Sequence, residues 1–116
     1  MKQDPAAREL REGIDADGTP LVYVPLANSD KCATVAKRDY KNVLAMGVSP
    51  FWQWNTNGKL NHYVRAGQRV GPSARWFVSI ARMIVGAQVG ERVTFKDSDP
   101  TNLRRSNLRL TTRKQC

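Results

Sequence analysis

The chain is poor in the side chains that build metal and redox centres. Its 116 residues include one histidine, His62, and two cysteines, Cys32 and Cys116. Three scattered Cys/His side chains fall short of the four that a structural zinc site normally takes, and there is no Cys-x-x-Cys pair. Long apolar runs are also missing. None approaches the ~18 residues needed to span a bilayer, so no membrane association is expected. The opening residues, MKQDPAARELREGIDADG, lack the apolar centre of a secretory leader. The expectation is a cytoplasmic protein, where a Cys32–Cys116 disulfide is disfavoured.

Acidic residues are the remaining shortage, and it is local. Residues 1–30 carry three basic and six acidic side chains, whereas residues 31–116 carry sixteen basic and four acidic ones. The formal net charge of +9 is therefore concentrated in the later part of the chain. Such clustering exceeds what solubility needs and attracts a polyanion, because each neutralised phosphate releases condensed counterions. With 41% hydrophobic and 25% charged residues the rest of the composition is ordinary for a globular domain.

Local patterns predict the elements. Asp4, Pro5 and the run AARELRE predict a helix over 4–13, capped by Asp4. DADGTP (15–20) reads as a turn. LVYVPL (21–26) and CATVA (32–36) read as strands of a hairpin about the turn NSDK (28–31). KRDYKNVLAMG (37–47) has helical spacing and a terminal glycine. FWQW and LNHYVR alternate on either side of NTNG (55–58), a second hairpin. GPSARWFVSIARMIVG (71–86) predicts a helix capped at Ser73, with Trp76, Phe77, Ile80, Met83 and Ile84 on one face and Arg75, Ser79 and Arg82 on another. ERVTF (91–95) predicts a strand, KDSDP (96–100) a turn and NLRRSNLRL (102–110) a final helix. No repeat or low-complexity linker divides the chain. The organisation expected is an N-terminal helix or tail over 1–20 and one domain over 21–116.

The segment VGERVTFKDSDPTNLRRSNLRLTTRKQ (89–115) resembles the C-terminal motif of phage-type HNH homing endonucleases, through Asp99-Pro100 and the block Arg104-Arg105-Ser106-Asn107-Leu108-Arg109. Upstream, WFVSIARMIVG, KLNHYVR and CATVAKRDYKNVLAMGVSPFWQW, with Asp39-Tyr40 and Trp52 or Trp54, resemble that family's earlier elements in the same order, over residues 21–115. The resemblance implies an α+β fold. Its parts would be a small N-terminal antiparallel sheet with a short helix, a central amphipathic helix and a C-terminal strand-loop-helix unit of the ββα-metal kind.

The chemistry implied by the resemblance is missing its reagents. An HNH nuclease needs a histidine to activate water and side chains to hold a divalent cation. Aligned on the motif, Phe95 stands at the general-base position, Thr94 at a metal-ligand position, Leu103 at the loop asparagine and Ala81 at the helix histidine. Only Asn107 remains. Asp97 and Asp99 are the nearby carboxylates and, with Asn107, the candidates for Mg2+; the other role open to the two aspartates is to form turns and caps. His62 is read as a strand-surface or packing residue.

The expectation is therefore a DNA-binding protein without nuclease activity and without a cofactor. The resemblance places Arg104, Arg105 and Arg109 against phosphates, and the candidate nucleic-acid contacts also include Arg75, Arg82, Arg113, Lys114, Lys59 and Arg65. A second surface is expected where Lys59, Asn61, His62, Tyr63 and Arg65 alternate along a strand beside Gln53 and Asn55, since one face of a small sheet can read base edges. The same part of the family resembles the three-stranded DNA-binding sheet of plant ethylene-response factors. Trp52, Trp54 and Tyr63 are read as core. Two alternatives stand beside this reading: a divergent endonuclease using Mg2+, and a protein-interaction or inhibitor module of phage origin. RNA is an alternative ligand.

Overall fold

The computed structural model describes residues 10–56 and 62–112. The fold is α+β. Strands β1 (Arg11–Ile14), β2 (Pro20–Pro25) and β3 (Cys32–Ala36) form one antiparallel sheet in that order. Helix α1 (Lys37–Ala45) follows. Strands β4 (Gln53–Thr56), β5 (His62–Arg69) and β6 (Arg75–Ser79) form a second antiparallel sheet, and α2 (Ile80–Val85) leaves its last strand. Strands β7 (Glu91–Phe95) and β8 (Leu108–Thr112) make an antiparallel ribbon, with a single 3-10 turn at Arg105–Asn107 between them.

One apolar cluster joins these parts. Val22, Val24 and Leu26 meet Ala33 and Val35 from the first sheet. Val43 of α1, Trp52, Val64 and Ala66 of the second sheet, Ile80 and Ile84 of α2, and Leu103 and Leu108 of the C-terminal region complete it. Two seams fix the sheets to their neighbours. Thr34 N donates to Thr101 O (2.8 Å) and Leu103 N to Thr34 O (2.7 Å), sewing the β7–β8 loop to β3. The Asn28 side chain accepts from Trp54 N (2.8 Å) and donates to Trp54 O (2.9 Å), so the β2–β3 turn satisfies the backbone of β4.

Three expected helices are not found as read. In the N-terminal one, residues 4–9 lie outside the described residues, while Arg11–Ile14 is strand. Gly13 lies so close to Tyr23 of β2 that a Cβ there would sit 2.7 Å from the phenol ring, a contact of paired strands. The helix over 71–86 is shortened to Ile80–Val85, because residues 75–79 pair with β5 over five registered positions. Its start is set by Ser79, whose Oγ accepts from Arg82 N at 3.4 Å, and its end by Gly86 at φ 68°. The helix over 102–110 is replaced by the 3-10 turn and β8. Asn107 and Asn102 spend their amides on the loop instead of leaving the backbone to a helix. The C-terminal unit is thus strand, loop and strand in the described residues, not strand-loop-helix.

Candidate nucleic-acid interface

Side chains alternate between the faces of a strand, and antiparallel partners share a face. In the second sheet Val64 and Ala66 of β5 point into the core. Tyr63, Arg65, Gly67 and Arg69 therefore point the other way. Their registered partners are Asn55 and Gln53 on β4 and Ser79, Phe77 and Arg75 on β6. The outer face thus carries three arginines, Gln53, Asn55, Tyr63, Ser79 and one phenyl ring, with no acidic residue among the described positions.

This face is organised side chain by side chain. The Arg65 guanidinium carbon lies 3.9 Å from the Phe77 ring centroid, and Arg65 Nε donates to Gln53 Oε1 at 3.4 Å. Asn55 Nδ2 donates to the Tyr63 hydroxyl (2.9 Å). Gly67 is buried although it faces outward, because the Arg75 stem crosses it; a Cβ there would come 2.9 Å from Arg75 Cδ. The heads of Arg69 and Arg75 are exposed.

A second basic face lies on the ribbon. Arg92 pairs with Thr111 and Thr94 with Arg109, and all four side chains are exposed. Lys96, at the end of β7, is exposed too. An open groove of about 1360 Å³ is lined among others by Arg65 and Phe77 from the sheet, Arg92 and Thr94 from the ribbon, and the acidic Glu91 and Asp99.

The expected C-terminal cluster is not assembled as one surface. Arg104 Nη1 is 2.7 Å from Asp15 Oδ1, and its Nε donates to Asn102 Oδ1. Arg105 grips both oxygens of Asp39 through Nε (3.1 and 3.0 Å) and reaches one again through Nη2 (3.0 Å). Asp39 is only 1% exposed, so this pair locks the 3-10 turn onto α1. Arg82 donates to Glu91 O (2.7 Å) and Gln88 O (2.8 Å), holding α2 to the approach of β7. These three arginines hold the fold together and are withdrawn from the candidate interface. Arg65 and Arg75 stand on the sheet face and Arg109 on the ribbon. Lys59, Asn61, Arg113 and Lys114 lie outside the described residues.

His62 is on the opposite sheet face from Arg65. It stacks on Trp54 at 5.0 Å and 7° between planes, while Lys31 Nζ sits 5.2 Å from the Trp54 ring. Trp52 is fully buried and Trp54 packs against the core as expected, whereas Tyr63 belongs to the outer face. Arg69, Arg92 and Lys96 were not singled out by sequence, and Phe77 was expected on the apolar face of a helix. The strict alternation of β7 was a usable signal for Arg92; nothing local marks Phe77 as outward.

The residues that the resemblance aligns with nuclease positions are spread between core and surface. Phe95 is half-buried against the core, Leu103 and Ala81 are core, and Thr94 is exposed beside Arg109. Asp97, Asp99 and Asn107 do come together, but as a hydrogen-bonded loop. Asp97 Oδ1 accepts from Asp99 N (2.8 Å) and Asn107 Nδ2 (2.9 Å), and Oδ2 from Asn102 Nδ2 (2.9 Å). Asn107 Oδ1 accepts from Asp97 N (3.0 Å). Asp99 Oδ1 accepts from the amide and hydroxyl of Thr101. Asn107 turns its N–H, not its oxygen, toward the carboxylate, so the set does not fit a Mg2+ site. The amide of Asn102, first, and then the amides of Asp99 and Asn107 hold the Asp97 carboxyl below the ordinary aspartate range.

Comparison with protein-family models, with curated proteins and with solved structures gives no match to this chain.

Proposed function

We propose that this chain binds duplex DNA without cutting it, through the outer face of the β4–β5–β6 sheet, with the β7–β8 ribbon contacting phosphates beside it. The observation that carries the reading is the strand register, which gathers Gln53, Asn55, Tyr63, Arg65, Arg69 and Arg75 on one acid-free face. Those residue types suit base edges: arginine pairs with guanine, and asparagine or glutamine with adenine. Size supports the major groove of B-form DNA. Three strands ~4.8 Å apart are about 10 Å across, and that groove is ~12 Å wide, against ~6 Å for the minor groove. The deep, narrow major groove of duplex RNA would not admit the sheet. Arg92, Lys96 and Arg109 supply charge for backbone contacts, which position a protein without reading sequence. The reading of binding without cleavage rests on the resemblance, which aligns the Phe95 ring with the water-activating position, and on the inward amide bonds of Asn107.

The test is a titration of duplex DNA, single-stranded DNA and duplex RNA at several salt concentrations, with and without Mg2+, alongside plasmid nicking. The reading predicts preferential duplex DNA binding that weakens steeply with salt and intact plasmid throughout. Nicking abolished by Asp97→Ala would establish a divergent endonuclease instead. A salt-insensitive protein complex with no DNA binding at low salt would establish an interaction module.

A further inference from the structure

Phe77 is an apolar ring on a polar face, and it is 59% exposed. Packing does not explain its place, since the core lies on the other side of the sheet. Its neighbour does. Phe77 is registered with Gly67, and Arg65 two residues along is registered with Ser79. Diagonal neighbours on adjacent strands are within reach of long side chains. The Arg75 stem fills the space over Gly67 on one side of the ring, and the Arg65 guanidinium lies over the phenyl ring, 3.9 Å from its centroid. Gln53 Oε1, on the third strand, accepts a hydrogen bond from Arg65 Nε. Arg65 is thus fixed from two sides. Its two terminal Nη groups have no protein partner among the described residues.

Arg69 and Arg75 differ. Both heads are exposed, and neither has a ring beneath it or an acceptor beside it among the described residues. A long cation that roams suits a phosphate, which any approach angle satisfies. A planar fork held in place suits a base edge, where two donors must meet two acceptors at once. Holding it beforehand also removes the ordering cost from the binding step.

We propose that Arg65 reads a guanine through its Nη pair and that Phe77 is the residue that positions it. The proposal rests on the sheet-face reading above and adds the base and the residue that fixes its reader.

The experiment is selection and quantitative binding on a randomised duplex pool, with the salt dependence measured for each protein. The proteins are the native chain, Arg65→Ala, Arg65→Lys, Phe77→Ala, Phe77→Leu and Phe77→Tyr, with thermal unfolding to confirm that each folds. The native chain is expected to require guanine at one position, its replacement costing about 5- to 150-fold, the span of one bidentate contact converted at tenfold per 1.4 kcal/mol. Both Arg65 variants lose that requirement. Phe77→Ala and Phe77→Leu relax it, with an unchanged salt slope, and Phe77→Tyr restores it because the π face returns. Retention of the guanine requirement in folded Phe77→Ala and Phe77→Leu overturns the positioning role. A flattened salt slope with intact base preference in Arg65→Ala makes Arg65 a phosphate contact and overturns the reading role. A native chain that binds no duplex overturns the proposed function itself, a result separate from both.

Discussion

Arg105 and Asp39 show how one residue's role depends on where its partner stands. The Asp39 carboxylate is 1% exposed, while the Arg105 side chain is 51% exposed. Removing the arginine leaves a buried charge without compensation, a change that costs about 3–5 kcal/mol. Removing the aspartate frees a guanidinium that can turn into water, so Asp39→Ala should cost distinctly less. Urea midpoints for Arg105→Ala and Asp39→Ala measure the difference; equal losses would contradict it. Asp97 offers a pH reading. Its folded-state pKa is depressed, so its contribution is present above the unfolded value and is lost as pH falls through the lower folded value. Its carboxyl carbon should titrate below the ordinary aspartate range by NMR, and Asn102→Ala should move the midpoint upward. Gln53, Asn55 and Arg65 were legible as a surface because alternation is a local signal, whereas Tyr63 was read as core. Arg104 and Arg105 were not, since Asp15 and Asp39 lie 89 and 66 residues away.

At the scale of elements, the sequence resolved those with a single consistent pattern. The strands over 21–26, 32–36 and 91–95 and the helix over 37–47 agree with β2, β3, β7 and α1 to within two residues. The helix over 71–86 failed because Trp76, Phe77 and Val78 form a short apolar run that either period accommodates. Pairing with β5 decided for strand. The misplaced helix start makes a clean prediction. Ser79→Ala should cost about 0.5–2 kcal/mol, as loss of a helix cap does. Ser73→Ala, exposed and outside the helix, should stay within ~0.5 kcal/mol. Thermal unfolding of the two variants distinguishes them, and the reverse order would place the helix start at 73. The final segment failed for another reason. Leu108 and Leu110 alternate for β8, but the NLRR and NLRL words read locally as helical, and only the partner strand β7 settles their conformation.

At the scale of the whole molecule, the charge asymmetry visible in the composition is divided between two jobs. Arg82, Arg104 and Arg105 hold elements together, while Arg65, Arg69 and Arg75 on the sheet and Arg92, Lys96 and Arg109 on the ribbon remain outward. Composition cannot make that division, which depends on which cations meet an acid or a carbonyl in the fold. A triple variant of Arg92, Lys96 and Arg109 to alanine should flatten the salt dependence of duplex binding by about three units and leave base preference unchanged, as loss of three phosphate contacts does. An altered base preference would instead put the ribbon on base edges. Among the described residues no helix is long and apolar enough to cross a membrane. The most direct check of the sheet-face assignment is amide chemical-shift mapping during titration with a duplex. The largest changes are predicted at β5 and β6, around Arg65, Gly67, Arg69, Arg75 and Phe77, with smaller ones on the ribbon. Changes confined to β1–β2–β3, or to the turn that holds Arg104 and Arg105, would contradict the account.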